Sequence, residues 1–68
     1  MDFRLKNEFI ELDNLLKVLE LVSCGAEAKQ VILAGEVKVN GEAEIRVRRK
    51  LRFKDIVEFR GQKIEILK

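Results

Sequence analysis

Between Leu12 and Val22 the apolar residues Leu12, Leu15, Leu16, Leu19 and Val22 fall at i, i+3, i+4, i+7 and i+10, the spacing of one face of an α-helix. Glu11 and Asp13 open that segment, where negative charge suits the helix dipole. Ser23-Cys24-Gly25 then interrupts the pattern for the length of a tight helix–helix connection, which puts Ser23 or Cys24 at the cap of a second helix. This helix runs from about Ala26 to Ala34 with Ala28, Val31 and Ile32 on its apolar face, and Gly35 stands where helices commonly end in a left-handed residue. At Glu36-Val37-Lys38-Val39 the period changes to two, and Asn40-Gly41 supplies the two positive-φ residues of a tight hairpin loop. Further strands are predicted at Glu44–Lys50, Asp55–Arg60 and Lys63–Leu67, with Arg60-Gly61-Gln62 as a turn. Phe3 and Leu5 alternate with Arg4 and Lys6, predicting a short N-terminal strand, and Phe9-Ile10 adds an extended piece before the first helix. The fold class is α+β: two short helices packed on a small, mostly antiparallel sheet of four to five strands, residues 1–68 forming one domain.

One of these strands is unusual in what it displays. From Glu44 to Asp55 the odd positions read Ile45, Val47, Arg49, Leu51, Phe53, and the even positions include Arg46, Arg48, Lys50, Arg52 and Lys54. Successive side chains of an extended chain face opposite ways, so the odd set is mostly inward and the even set forms a row of cations on the order of 26 Å long. One or two cations would serve to guard an exposed sheet edge. Five in a row exceed that need and point to phosphate binding, although Glu42 and Glu44 dilute the field.

The formal net charge of +2 conceals a division. Residues 1–34 carry four basic and six acidic side chains, and residues 35–68 carry ten basic and six acidic, so an anionic partner meets the C-terminal half first. With neither Trp nor Tyr, and with Phe3, Phe9, Phe53 and Phe59 all in apolar alternations that suggest core positions, stacking platforms for single-stranded bases are poorly supplied. Contact with the backbone and shape of a folded RNA fits better. At 68 residues the core is small and leaves little room for a deep pocket, so an enzyme is not expected and no small-molecule substrate, cofactor or catalytic residue is assigned. No His and a single Cys24 argue against a transition-metal site and exclude an internal disulfide. No apolar run is long enough to span a bilayer, and the expected location is cytoplasmic.

The combination Leu12-Asp13-Asn14-Leu15-Leu16-Lys17, Glu27-Ala28-Lys29, Ile32, Gly35, Val37-Lys38-Val39-Asn40-Gly41 and Asp55-Ile56-Val57 resembles the RNA-binding domain named after ribosomal small-subunit protein four, the S-four-like domain or alpha-L motif. The N-terminal strand and the Arg46, Arg48, Arg49, Lys50 cluster resemble the small free-standing bacterial members. The resemblance implies a non-enzymatic module that binds structured RNA, ribosomal or transfer RNA, through backbone phosphates and in association with the ribosome. It implicates Lys29 and Gln30 on helix two, Lys38 and Asn40 at the strand and turn, and Arg46, Arg48, Arg49, Lys50 and Arg52 in the basic run. Two positions depart from the family pattern. Cys24-Gly25 stands where a Ser-Arg pair often opens helix two, and Lys54-Asp55 where a Gly-Asp turn is usual. Two other readings compete: a DNA-binding helix-turn-helix, for which helix two offers few groups to base edges, and a protein-interaction adaptor that docks an acidic partner on the basic edge.

Overall fold

The computed structural model describes all residues, 1–68. In chain order the elements are β1 (Asp2–Arg4), β2 (Ile10–Glu11), α1 (Leu12–Val18), α2 (Gly25–Leu33), β3 (Val37–Val39), β4 (Glu42–Ala43), β5 (Lys50–Leu51), β6 (Ile56–Phe59) and β7 (Gln62–Leu67). A five-stranded sheet runs in the order β1-β7-β6-β3-β4, and β2 and β5 form a separate two-stranded ribbon. Every pairing is antiparallel except β1 with β7, where the first strand lies alongside the last. The α+β architecture read from the sequence is the one observed.

Strand alternation sorts the sheet into two faces. Val37 and Val39 pair with Phe59 and Val57, Val57 pairs with Ile64, and all are buried beneath the helices together with Ile66. The apolar faces of α1 (Leu12, Leu15, Leu16) and α2 (Ala28, Val31, Ile32) close that core. The opposite face carries Lys38, Glu58 and Lys63 side by side in register, a ladder of alternating charge.

Both helices stop in the same way. At the end of α2 Gly35 takes φ +78, its amide donates to the Ile32 carbonyl, and the Glu36 amide donates to Val31. At the end of α1 Glu20 takes φ +58, its amide donates to Lys17, and Leu21 donates to Leu16. These paired bonds are the Schellman arrangement. The periodic apolar set runs on to Val22, but α1 ends at Val18 because a non-glycine residue accepts the left-handed conformation. Val22 is still buried, delivered by the connecting turn instead of by the helix.

Two hairpins close on two-residue loops with both φ values positive: Asn40-Gly41 at 54° and 87°, and Arg60-Gly61 at 49° and 80°. The first is reinforced by its side chain. Asn40 Oδ1 accepts from the Ile56 amide at 2.9 Å and Nδ2 donates to Asp55 Oδ1 at 3.0 Å, while Asp55 Oδ2 accepts from the Arg52 amide at 2.8 Å. One amide and one carboxylate thus tie the β3–β4 loop to the turn before β6. Lys54, in that turn, takes φ +80 where the family pattern has glycine.

The predicted strand at Glu44–Lys50 is not formed. Only Lys50–Leu51 is strand, and the chain from Glu44 to Arg49 is a loop. Glu44 is the cause. The residue is only 7% exposed, its carboxylate accepts from the Arg46 amide two residues on, and a turn from Arg46 to Arg49 follows. A local carboxylate-to-backbone bond has outcompeted the sheet ladder. The expected alternation fails with it: Ile45 is 61% exposed, and the 26 Å row of cations does not exist.

Asn40→Ala is expected to destabilise the fold by about 2 kcal/mol, from two lost hydrogen bonds and a β-carbon held at positive φ without compensation. Asp55→Ala should lose part of the same network, so in denaturant titrations the double variant should fall short of the summed single losses.

Candidate nucleic-acid interface

The loop from Glu44 to Arg49 is held against the start of α1 by its backbone. The Leu12 amide donates to the Arg49 carbonyl at 2.9 Å and the Asp13 amide to the Val47 carbonyl at 3.1 Å. These are two of the amides that a helix N-terminus leaves without internal partners. Glu11 is the N-cap and makes no side-chain cap bond, so the loop takes its place. Carbonyls face the positive end of the helix and the basic side chains of the loop turn outward.

Glu44 fixes two of those side chains. Its Oε2 accepts from Arg46 Nε at 3.0 Å, and Oε1 accepts from Arg46 Nη2 at 3.0 Å and Arg49 Nη1 at 2.6 Å. The two oxygens and the Arg46 amide leave the buried carboxylate fully satisfied, as a buried charge requires. Its pKa is lowered to about 2, chiefly by the Arg46 guanidinium. Arg46 and Arg49 therefore enter the surface as a triad of net charge +1, not as two free cations. Lys50 and Arg52 lie over the Phe9 ring, at 4.9 and 5.6 Å from its centroid.

The unpaired cations converge elsewhere. A cleft of about 570 Å³ opens between α1, the start of α2 and the basic loop, lined by Lys17, Gly25, Ala26, Lys29 and Arg48 with Asp13 and Val47. None of Lys17, Lys29 and Arg48 takes part in a salt bridge. Lys17 leans toward the first turn of α2: a β-carbon placed on Gly25 would lie 3.8 Å from its Nζ. A positive side chain beside the positive end of a helix is a site that an anion would relieve. The neighbouring hollow, of about 510 Å³, has Lys17 as its one cation beside Glu20 and Glu27 and does not suit an anion. Glu27 is already engaged by Ser23, whose amide and hydroxyl donate to it at 2.8 and 2.9 Å and hold its pKa below the ordinary range.

Cys24 is the N-cap of α2, exposed, with extended backbone. The Glu27 amide, then the Ser23 side chain and the Ala26 amide, lower its thiol pKa. Of the residues singled out in the sequence, Lys29 and Arg48 meet at the cleft. Gln30 is exposed beside Lys29 on α2. Arg46 and Arg49, on the same loop as Arg48, are paired with Glu44, and Lys50 and Arg52 lie over Phe9. Lys38 points away from the helices, onto the sheet face with Glu58, and Asn40 has its amide committed to the turn. Lys17 lines the cleft as well, although its place in the sequence does not single it out. Its signal is the brevity of the Ser23-Cys24-Gly25 connection, which brings the end of α1 to the start of α2.

Two helices at a corner, packed on a small sheet and flanked by a pinned basic loop, make this an alpha-L domain. The chain belongs to the S4 domain family, whose sequence pattern matches residues 3–67. It is 37% identical over 62 residues to the "Putative RNA-binding protein YbcJ" of Escherichia coli strain K12, covering 91% of this chain and 89% of that protein. The YbcJ protein of Shigella flexneri matches to the same extent. Among solved structures, the solution structure of E. coli YbcJ, described as revealing an alpha-L motif involved in RNA-binding, superposes with a TM-score of 0.74. That match covers 98% of this chain and 86% of the other.

The Glu44 triad has an acid signature. Because the folded pKa of about 2 lies below the ordinary 4.5, its stabilisation is complete above pH 4.5 and is lost as pH falls toward 2. Glu44→Gln should cost about 1–3 kcal/mol at neutral pH and flatten the acid limb of the stability profile across that window, read by denaturant titration at each pH.

Proposed function

We propose that the protein binds structured RNA, of the ribosomal or transfer RNA class, by seating backbone phosphates in the cleft between α1, α2 and the basic loop. The observation that carries this reading is the convergence of three unpaired cations, Lys17, Lys29 and Arg48, on the first turn of a helix. The description of E. coli YbcJ as RNA-binding supports it. The Arg46–Glu44–Arg49 triad and the cations over Phe9 add to the positive charge of the basic run that ends the cleft at Arg48, while Lys38 and Lys63, on the far sheet face beside Glu58, stay out of the cleft.

The module acts by binding and not by catalysis. Glu44 is committed to two arginines, Glu27 to Ser23 and Asp55 to Asn40, and Asp13, in the cleft wall, accepts from the Asn14 amide. Action on the ribosome in the cytoplasm is the setting in which such an RNA is met. No helix is long and apolar enough to cross a membrane.

Phosphate contacts release counterions, so the slope of log affinity against log salt falls by about 0.7–0.9 for each contact removed. Lys29→Ala combined with Arg48→Ala should reduce the slope on hairpin RNA by about 1.5, whereas Lys38→Ala with Lys63→Ala should leave it unchanged. Equal slopes for wild type and the cleft variant would refute the assignment. Saturating RNA should also slow alkylation of Cys24, one residue from Gly25 in the cleft wall; undiminished alkylation of the complex would place the RNA elsewhere.

A further inference from the structure

Phe53 does not occupy the core position its alternation suggests. It is 43% exposed at one wall of an apolar groove of about 370 Å³, completed by Lys54, Ile56, Glu65, Ile66 and Leu67. Two ammonium groups stand over its ring, Lys54 Nζ at 5.6 Å and Lys68 Nζ at 5.5 Å from the centroid. Lys54 reaches that position from a backbone held at φ +80, a conformation glycine would adopt without strain. A lysine kept in a sparsely populated conformation beside an exposed aromatic ring is a combination that packing does not require.

We infer that Phe53 is a stacking platform for one unpaired nucleobase, with Lys54 and Lys68 taking the phosphates on either side of it. This rests on the RNA-binding reading above and adds to it the kind of RNA: one whose fold leaves a base free outside the stretch of phosphates held in the cleft. The chemistry of the groove selects this occupant. A base presents an apolar face to the ring and to the partly exposed Ile56 and Leu67, and its own phosphates bring the negative charge that two ammonium groups, with Glu65 as the one carboxylate in the groove lining, are placed to receive. An exposed cation–π contact is weaker than a base–aromatic stack, so the base takes the ring face and the displaced ammonium swings to a phosphate. The platform follows the basic run directly in sequence, after Lys50 and Arg52. Ile56, Glu65 and Leu67 alternate with the core residues Val57, Ile64 and Ile66, so the groove opens on the sheet face away from the helices, and an RNA that fills groove and cleft together passes round the end of the sheet that Phe53 occupies.

The test compares two probes, a hairpin RNA with an unpaired adenosine loop and the same hairpin with abasic loop residues, which keeps every phosphate and removes the bases. Wild type should bind the first about tenfold more tightly, the order expected of one base–aromatic stack. Phe53→Leu, which keeps an apolar side chain but no π face, should bind both probes with the abasic affinity. Phe53→Trp should retain the preference, and since the chain has no other Trp or Tyr, its fluorescence should be quenched by the first probe alone. A Phe53→Leu protein that keeps the wild-type preference, or Phe53→Trp fluorescence indifferent to the loop bases, overturns the platform while leaving the cleft reading intact. A wild type that binds neither probe overturns both.

Discussion

A helix of seven residues is too short to be stable on its own in water, so α1 depends on the burial of Leu12, Leu15 and Leu16 and on partners outside it that complete its first turn. That completion comes from the carbonyls of Val47 and Arg49, which accept from Asp13 and Leu12. The same two bonds fix the basic loop in space. Stability of the helix and placement of the cations are therefore one interaction seen from two sides. The β2–β5 pairing continues it, since Ile10 and Glu11 lead into α1 and face Leu51 and Lys50. A chain this small has no room for one set of contacts for folding and another for shaping a surface.

Glu44 extends that dual use, with a penalty. Burying a carboxylate is unfavourable unless it is paired and hydrogen-bonded, and here the pairing consumes two arginines that would otherwise stand free. In return the loop acquires a single conformation. Arg46 still presents most of its guanidinium to solvent, with a side chain 71% exposed, but in a direction set by the carboxylate. The surface exchanges some of its field for geometry, which favours a partner recognised by the arrangement of its phosphates over any polyanion of sufficient charge.

The residues differ in how openly they announce these roles. The two helices, the Asn40-Gly41 and Arg60-Gly61 loops and the core strands are legible because local signals and burial agree there: an apolar face at helical spacing, paired positive-φ residues, strict alternation. The early end of α1 is hidden because Glu20, not glycine, takes the left-handed position. The loop at Glu44–Arg49 is hidden for a different reason. Alternating Ile45, Arg46, Val47, Arg48 is the pattern of a half-buried strand, and only the burial of Glu44, a tertiary fact, selects the turn instead. Phe53 misleads for the same cause, its apolar neighbours implying a core it does not enter. In the cleft of the proposed interface, Lys29 and Arg48 can be named from charge and position, but Lys17 becomes visible only when the connection between the helices is folded.

The count of free cations bounds how the proposed contact can work. A linear row of five would grip any phosphate backbone with a steep salt dependence, and affinity would come largely from counterion release. Three convergent, unpaired cations at a helix terminus release fewer ions, so electrostatics alone yields modest binding. Discrimination must then arise from whatever else touches the RNA: the fixed Arg46 guanidinium, the rim of cations over Phe9 and an aromatic face at Phe53. Each makes its contact at one position relative to the cleft. An RNA that meets them together has to present phosphates and an unstacked base in a definite spatial relation, which a regular duplex does not do.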